Sequence, residues 1–191
     1  MVVCRRSTNR IGLDAGFSLL ELLLVSILLT TMGAITAGFF GQARASAAGN
    51  ANIRKVESLL KLGRETAINE RRAIVVTFTP PNRVRLTRLN IPIGTTLVGE
   101  TFLENNMTFM LFGGQPDTPE SFGRTTAVDF GAATQIMFTA EGTLTDQTGN
   151  PINGTVFIGQ TGVPMTARAL TVFGPTSTLR SYKWNGSSWR H

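Results

Sequence analysis

Glu21 is the only formally charged residue in residues 17–40, FSLLELLLVSILLTTMGAITAGFF. A lone carboxylate in hydrocarbon costs about 3 kcal/mol, so it either snorkels to the headgroup layer or meets a positive group. At the other end of the chain, Arg180, Tyr182, Lys183, Trp184, Trp189 and Arg190 combine cations with aromatic faces. Phosphate contact with base stacking needs both, and an edge strand whose aromatics cover the core explains the same residues. Asp146, Asn150 and Asn153 place oxygen ligands within the turn-rich TDQTGNPINGT. Their spacing is not that of an EF-hand, a polar hairpin loop accounts for them, and no metal is expected. The only Cys is Cys4 and the only His is His191. Zinc sites and Cys-His or Ser-His pairs therefore cannot be assembled. Carboxylates such as Glu100 and Glu104 have no accompanying His or Lys motif, so neither an enzyme nor a cofactor is expected.

The elements that must position these residues follow from composition. Only 16% of the 191 residues are charged, against about a quarter in ordinary domains, so one segment must concentrate the apolar residues. That segment is residues 17–40, which as a helix would span about 36 Å, enough to cross a hydrocarbon core of about 30 Å. Arg5, Arg6 and Arg10 precede it and by the positive-inside rule keep the N-terminus cytoplasmic. Ala43-Arg44-Ala45 has the form of a signal-peptidase site. The apolar run is longer than an h-region of roughly 7–15 residues, and its acid is foreign to one.

Beyond Gly41, Ile53, Val56, Leu60, Gly63 and Ala67 recur at helical spacing among charged residues. One helix is expected over 17–71, apolar first and amphipathic after, with Gly33, Gly38, Gly41 and Gly49 as weak points. After Arg72 the texture becomes short β-branched and aromatic runs broken by Gly, Pro and Asn. Residues 73–79 and 83–89 flank Pro80-Pro81-Asn82 and predict a hairpin; further strands are expected at 95–98, 107–112, 127–130, 135–139, 155–158, 169–173 and 179–184. Charge is segmented: residues 41–91 carry net +7, residues 92–167 carry −6, and residues 168–191 carry +4 with no acid. Nucleic acid, anionic lipid and head-to-tail subunit contact all fit such asymmetry.

Gly16-Phe17-Ser18-Leu19-Leu20-Glu21, behind a basic leader and before an apolar run, resembles the processing motif of type IV pilins and type II secretion pseudopilins. The resemblance implies cleavage after Gly16 by a prepilin peptidase, N-methylation of Phe17, and pairing of Glu21 with a subunit's N-terminal amine during assembly. Cleavage would leave 175 residues without cysteine. Leu60 to Leu86, IMFTAEG at 136–142 and the closing LRSYKWNGSSW resemble the FimT/GspH group of minor pilins and pseudopilins. That implies an α+β, pilin-like fold: a long N-terminal helix, partly transmembrane, packed on a β-rich head of two antiparallel sheets. The expected organisation is a leader at 1–16, a membrane half-helix at 17–40, an amphipathic half at 41–72 and a head at 73–191.

The function so implied is that of a minor, GspH-like pseudopilin of a type II secretion system, held in the bacterial inner membrane with its head periplasmic. Its partners would be prepilin peptidase and other major and minor pseudopilins. The alternative is a FimT-like minor type IV pilin. Some members of that branch bind DNA through a basic C-terminal motif, which here would fall to Arg180, Lys183 and Arg190. The sequence has Leu179-Arg180-Ser181-Tyr182 instead of that branch's Gly-Arg-any-Arg.

Overall fold

A computed structural model describes residues 18–191, except for the side chains of residues 37–39 and 42. Two compact units divide at Gly41/Gln42. Helix α1, Leu19–Glu70, contributes to both. It ends where Arg71 takes a left-handed φ of 51° and the Arg72 N–H reaches back to the Ala67 carbonyl at 3.2 Å. That six-residue closure satisfies a carbonyl the last turn would otherwise leave open.

Within 42–191, eleven strands follow: β1 Ile74–Thr79, β2 Arg83–Leu89, β3 Thr95–Phe102, β4 Met107–Phe109, β5 Val128–Asp129, β6 Ile136–Phe138, β7 Leu144–Asp146, β8 Gly154–Gln160, β9 Val163–Phe173, β10 Thr178–Trp184 and β11 Trp189–Arg190. They form two antiparallel sheets, ordered β3-β2-β1-β6-β7 and β11-β10-β9-β8-β4, with β5 also paired to β8. The expected architecture, a long N-terminal helix with a β-rich head of two antiparallel sheets, is the one observed. The 73–79/83–89 hairpin forms as β1 and β2, register Val76 to Leu86. Along β2, Val84 and Leu86 alternate with Arg83 and Arg85, and the register against β3 shifts between Leu86 and Thr87.

The helical stripe Ile53, Val56, Leu60 and Ala67 is buried in one core with Val76, Val84 and Leu86 of the first sheet and Val156, Ile158, Leu170 and Val172 of the second. The opposite face of the second sheet holds a separate aromatic cluster: Phe157, Tyr182, Trp184 and Trp189, against Leu111 and Phe112. Burial on both faces explains why β8 and β9 read as nearly continuous apolar runs.

The segment after β4, residues 110–127, has no regular structure beside that aromatic face and is held by side chains. Trp189 Nε1 donates to the Pro116 carbonyl at 2.9 Å, and Arg124 donates to the Phe112 carbonyl. Asp117 accepts from the backbone of Thr118 and Gly123. Asp129 accepts from the Thr125 N–H and hydroxyl at 2.6 and 2.7 Å and from the Gly131 N–H at 3.0 Å. Burial pushes the Asp129 carboxyl up, but these hydrogen bonds outweigh it and hold the group below its usual range.

Candidate functional site

Leu19–Thr36 is 18 residues of apolar helix, about 27 Å long, sufficient in length and composition to cross a membrane, and none of it is buried. Its hydroxyl side chains need no water. Ser26 Oγ donates to the Leu22 carbonyl at 2.6 Å, Thr30 to Ile27 at 2.9 Å, Thr31 to Leu28 at 2.9 Å and Thr36 to Met32 at 2.8 Å. Each hydroxyl is satisfied within its own helix, as a hydrocarbon environment requires. Glu21 lies in the first turn with its side chain exposed, and no cation pairs with it among the described residues. Gly16 and Phe17 lie outside the described residues.

Further along α1, apolar packing gives way to polar fastening between Ser46 and Asn52. Arg168 on β9 is 1% exposed and has no carboxylate partner among the described residues. Its Nε donates to Asn50 Oδ1 at 2.7 Å, one terminal nitrogen to the Met165 and Ala167 carbonyls, and the other to the Ser46 carbonyl and hydroxyl at 2.8 and 3.0 Å. All five guanidinium protons are placed. Burial lowers this group to about 10, which leaves it charged at neutral pH. Gly49 permits the approach: a Cβ there would lie 2.8 Å from the Thr166 carbonyl oxygen and 3.1 Å from Arg168 Cζ. On the other flank, the Asn52 amide donates to the Glu104 carbonyl at 3.2 Å and accepts from the Glu104 N–H at 2.7 Å. Lys55 adds an ion pair to the Glu104 carboxylate at 2.6 Å.

The three tail cations divide between the two faces of the second sheet. Lys183 pairs in register with Arg190 on β11 and with Arg168 on β9, so all three side chains share the face that carries α1. Arg180 is on the opposite face with Tyr182 and Trp184. It pairs with Glu120 at 3.2 Å, and the Tyr182 hydroxyl donates to the same carboxylate. Burial, then that hydrogen bond, push the Tyr182 phenol up. Tyr182, Trp184 and Trp189 are buried together, so these aromatics cover the core, one of the two readings their sequence allows, and present no face for stacking on bases. The hairpin arginines are also engaged: Arg83 and Arg85 by Glu100 at 2.7 and 3.2 Å, Arg88 by Glu70 at 2.6 Å.

Asp146 Oδ1 accepts from the backbone of Thr148 and Asn150 and from the Thr148 hydroxyl, closing its own turn. Asn153 instead accepts from the Gly174 N–H. Among the described residues no group of three or more His, Cys, Asp or Glu gathers to hold a metal. Sequence reasoning missed Arg168 and Asn52 as the residues that fasten helix to head. The available signal was an Arg between two alanines in the otherwise uncharged run Val163–Phe173.

No protein-family model matches the sequence, and no curated protein matches it closely enough to count as a relative. Solved structures similar to it include the minor pseudopilin EpsH from the type 2 secretion system of Vibrio cholerae, at TM-score 0.48 and 16% identity, covering 71% of this chain and 96% of that one. A second EpsH structure gives TM-score 0.48 and 18% identity, covering 76% and 97%. The type IV minor pilin FimU of Pseudomonas aeruginosa gives TM-score 0.45 and 17% identity, covering 80% and 97%.

Proposed function

We propose that this chain is a minor, GspH-like pseudopilin: a structural subunit of a type II secretion system that assembles into a short periplasmic pseudopilus through its N-terminal helix. The observation that carries the reading is an apolar helix of membrane-spanning length, exposed on every side, with one carboxylate in its first turn and a packed β head beyond. In this reading prepilin peptidase cleaves after Gly16 on the cytoplasmic side of the inner membrane and Phe17 becomes the methylated N-terminus. The helix then exchanges lipid contacts for neighbouring helices. Glu21 finds its counter-charge in an N-terminal amine, an ion pair that is strong in hydrocarbon. The role is structural, and the head meets other pseudopilins.

A second reading, a minor type IV pilin that meets DNA, draws on Lys183 and Arg190, adjacent cations without carboxylate partners among the described residues. The burial of Tyr182, Trp184 and Trp189 counts against it, because no stacking platform is presented.

Glu21→Ala tests the assembly role. Incorporation into filaments, measured by crosslinking in cells that carry the other pseudopilins, is expected to fall about tenfold or more while the carbonate-resistant membrane pool stays constant. Undiminished incorporation contradicts the pairing.

A further inference from the structure

Six cations of residues 42–191 are answered. Arg83, Arg85, Arg88, Arg180, Lys55 and Lys61 each meet a carboxylate. On the α1 side of the second sheet a different arrangement holds. Arg168, Lys183 and Arg190 stand side by side on β9, β10 and β11, in one row across adjacent strands roughly 4.8 Å apart. Arg168 is the buried inner member, and it donates to amide, hydroxyl and carbonyl oxygens. Lys183 and Arg190 are exposed, and residues 168–191 contain no acid at all. Arg54, one turn beyond Asn50 on α1, adds an exposed cation to the flank that meets Arg168. The acid next along that flank is Glu57, which already holds Lys61 at 2.7 Å. The result is a strip of like charge at the open edge of a sheet.

The chain limits where this strip can be. Arg168 grips Ser46, and five residues separate Ser46 from Phe40, the end of the apolar run. The six Cα-to-Cα steps between them reach at most about 20 Å even when fully extended. A tether that short keeps a cationic strip within reach of a layer of phosphates.

We infer that Arg54, Lys183 and Arg190 form a docking strip for anionic phospholipid headgroups, which holds the head against the outer surface of the membrane before the subunit is extracted into a filament. The inference rests on the membrane-anchor reading of residues 17–40. Extraction would then release the strip, and dilution of anionic lipid would favour it.

The test uses the full-length chain reconstituted into phosphatidylcholine vesicles, with or without about 30% phosphatidylglycerol. Hydrogen exchange of residues 178–191 is the readout, and carbonate extraction of the same sample reports insertion. Exchange is expected to slow about tenfold in the anionic vesicles and to recover at about 0.5 M NaCl. Lys183→Glu with Arg190→Glu abolishes the slowing. The equal charge change Arg71→Glu with Arg72→Glu, made beyond the far end of α1, leaves it in place. An inserted protein whose exchange ignores phosphatidylglycerol overturns the inference and spares the anchor. Failure to insert overturns both. Slowing by a short DNA duplex in neutral vesicles, without a response to phosphatidylglycerol, replaces the lipid assignment with nucleic acid.

Discussion

Leu19–Thr36 and the stretch from Ile53 to Ala67 belong to one helix, yet their apolar side chains meet opposite fates. In the first, exposure runs from 46% at Val25 to 82% at Leu19; in the second, Ile53, Val56, Leu60 and Ala67 are 4% exposed or less. The second stretch alternates its apolar stripe with charges because one face meets a sheet and the other meets water. The first is apolar all round, which suits an environment that is apolar all round. Each large aliphatic side chain left in water forfeits about 1.5–3 kcal/mol, so the first stretch needs a partner that the described residues do not supply, whether lipid or neighbouring helices. Between them, Ser46 to Asn52 is neither: it is fastened by hydrogen bonds from Arg168 and by a reciprocal pair between Asn52 and the Glu104 backbone.

The difference can be broken from either side. Leu24→Arg combined with Leu28→Arg should cost about 5–7 kcal/mol of membrane insertion and release the protein on carbonate extraction. The melting temperature of the head should not move. Leu60→Ala should do the reverse, removing about 2–5 kcal/mol of head stability in denaturant titration while membrane retention holds. Asn52→Ala and Arg168→Met each leave buried polar partners unpaired and should cost about 1–3 kcal/mol, read in the same titration. A smaller effect is expected away from the helix. The Asp129 carboxyl is held low by hydrogen bonds, so its stabilisation is present above its unfolded value of about 3.9 and is lost as pH falls through the folded value. Asp129→Asn should therefore lower stability by about 1 kcal/mol at neutral pH and flatten the decline of stability below about pH 4.

The helix was legible because two strong patterns meet in it, an uninterrupted apolar run and a three-four period. The β1–β2 hairpin was legible for the same kind of reason: Val84 and Leu86 alternate with arginines behind a Pro-Pro-Asn turn. Short elements were not. Leu144–Asp146 and Trp189–Arg190 carry too few residues to show a period, and their strand character comes from neighbours already in the sheet. The strand expected at 169–173 begins at Val163 and takes in Arg168, whose charge is buried as a tie to Ser46 and Asn50. The tail was read as a single basic and aromatic group. Strand alternation, applied strictly, separates Arg180 and Tyr182 from Lys183 and gives two faces with different surroundings. Glu120, the residue that engages Arg180, lies 60 positions away in an irregular segment and left no periodic trace.

The central claim is that residues 17–40 are kept, as an anchoring and assembling helix with Phe17 at its head. Intact mass and N-terminal sequencing of the membrane-extracted protein, with and without a prepilin peptidase, test it most directly. The account predicts a chain that begins at methylated Phe17 only when the peptidase is present. A chain that begins at Ser46 would contradict it, since the apolar helix would then be a discarded signal and Glu21 would have no part in any assembly.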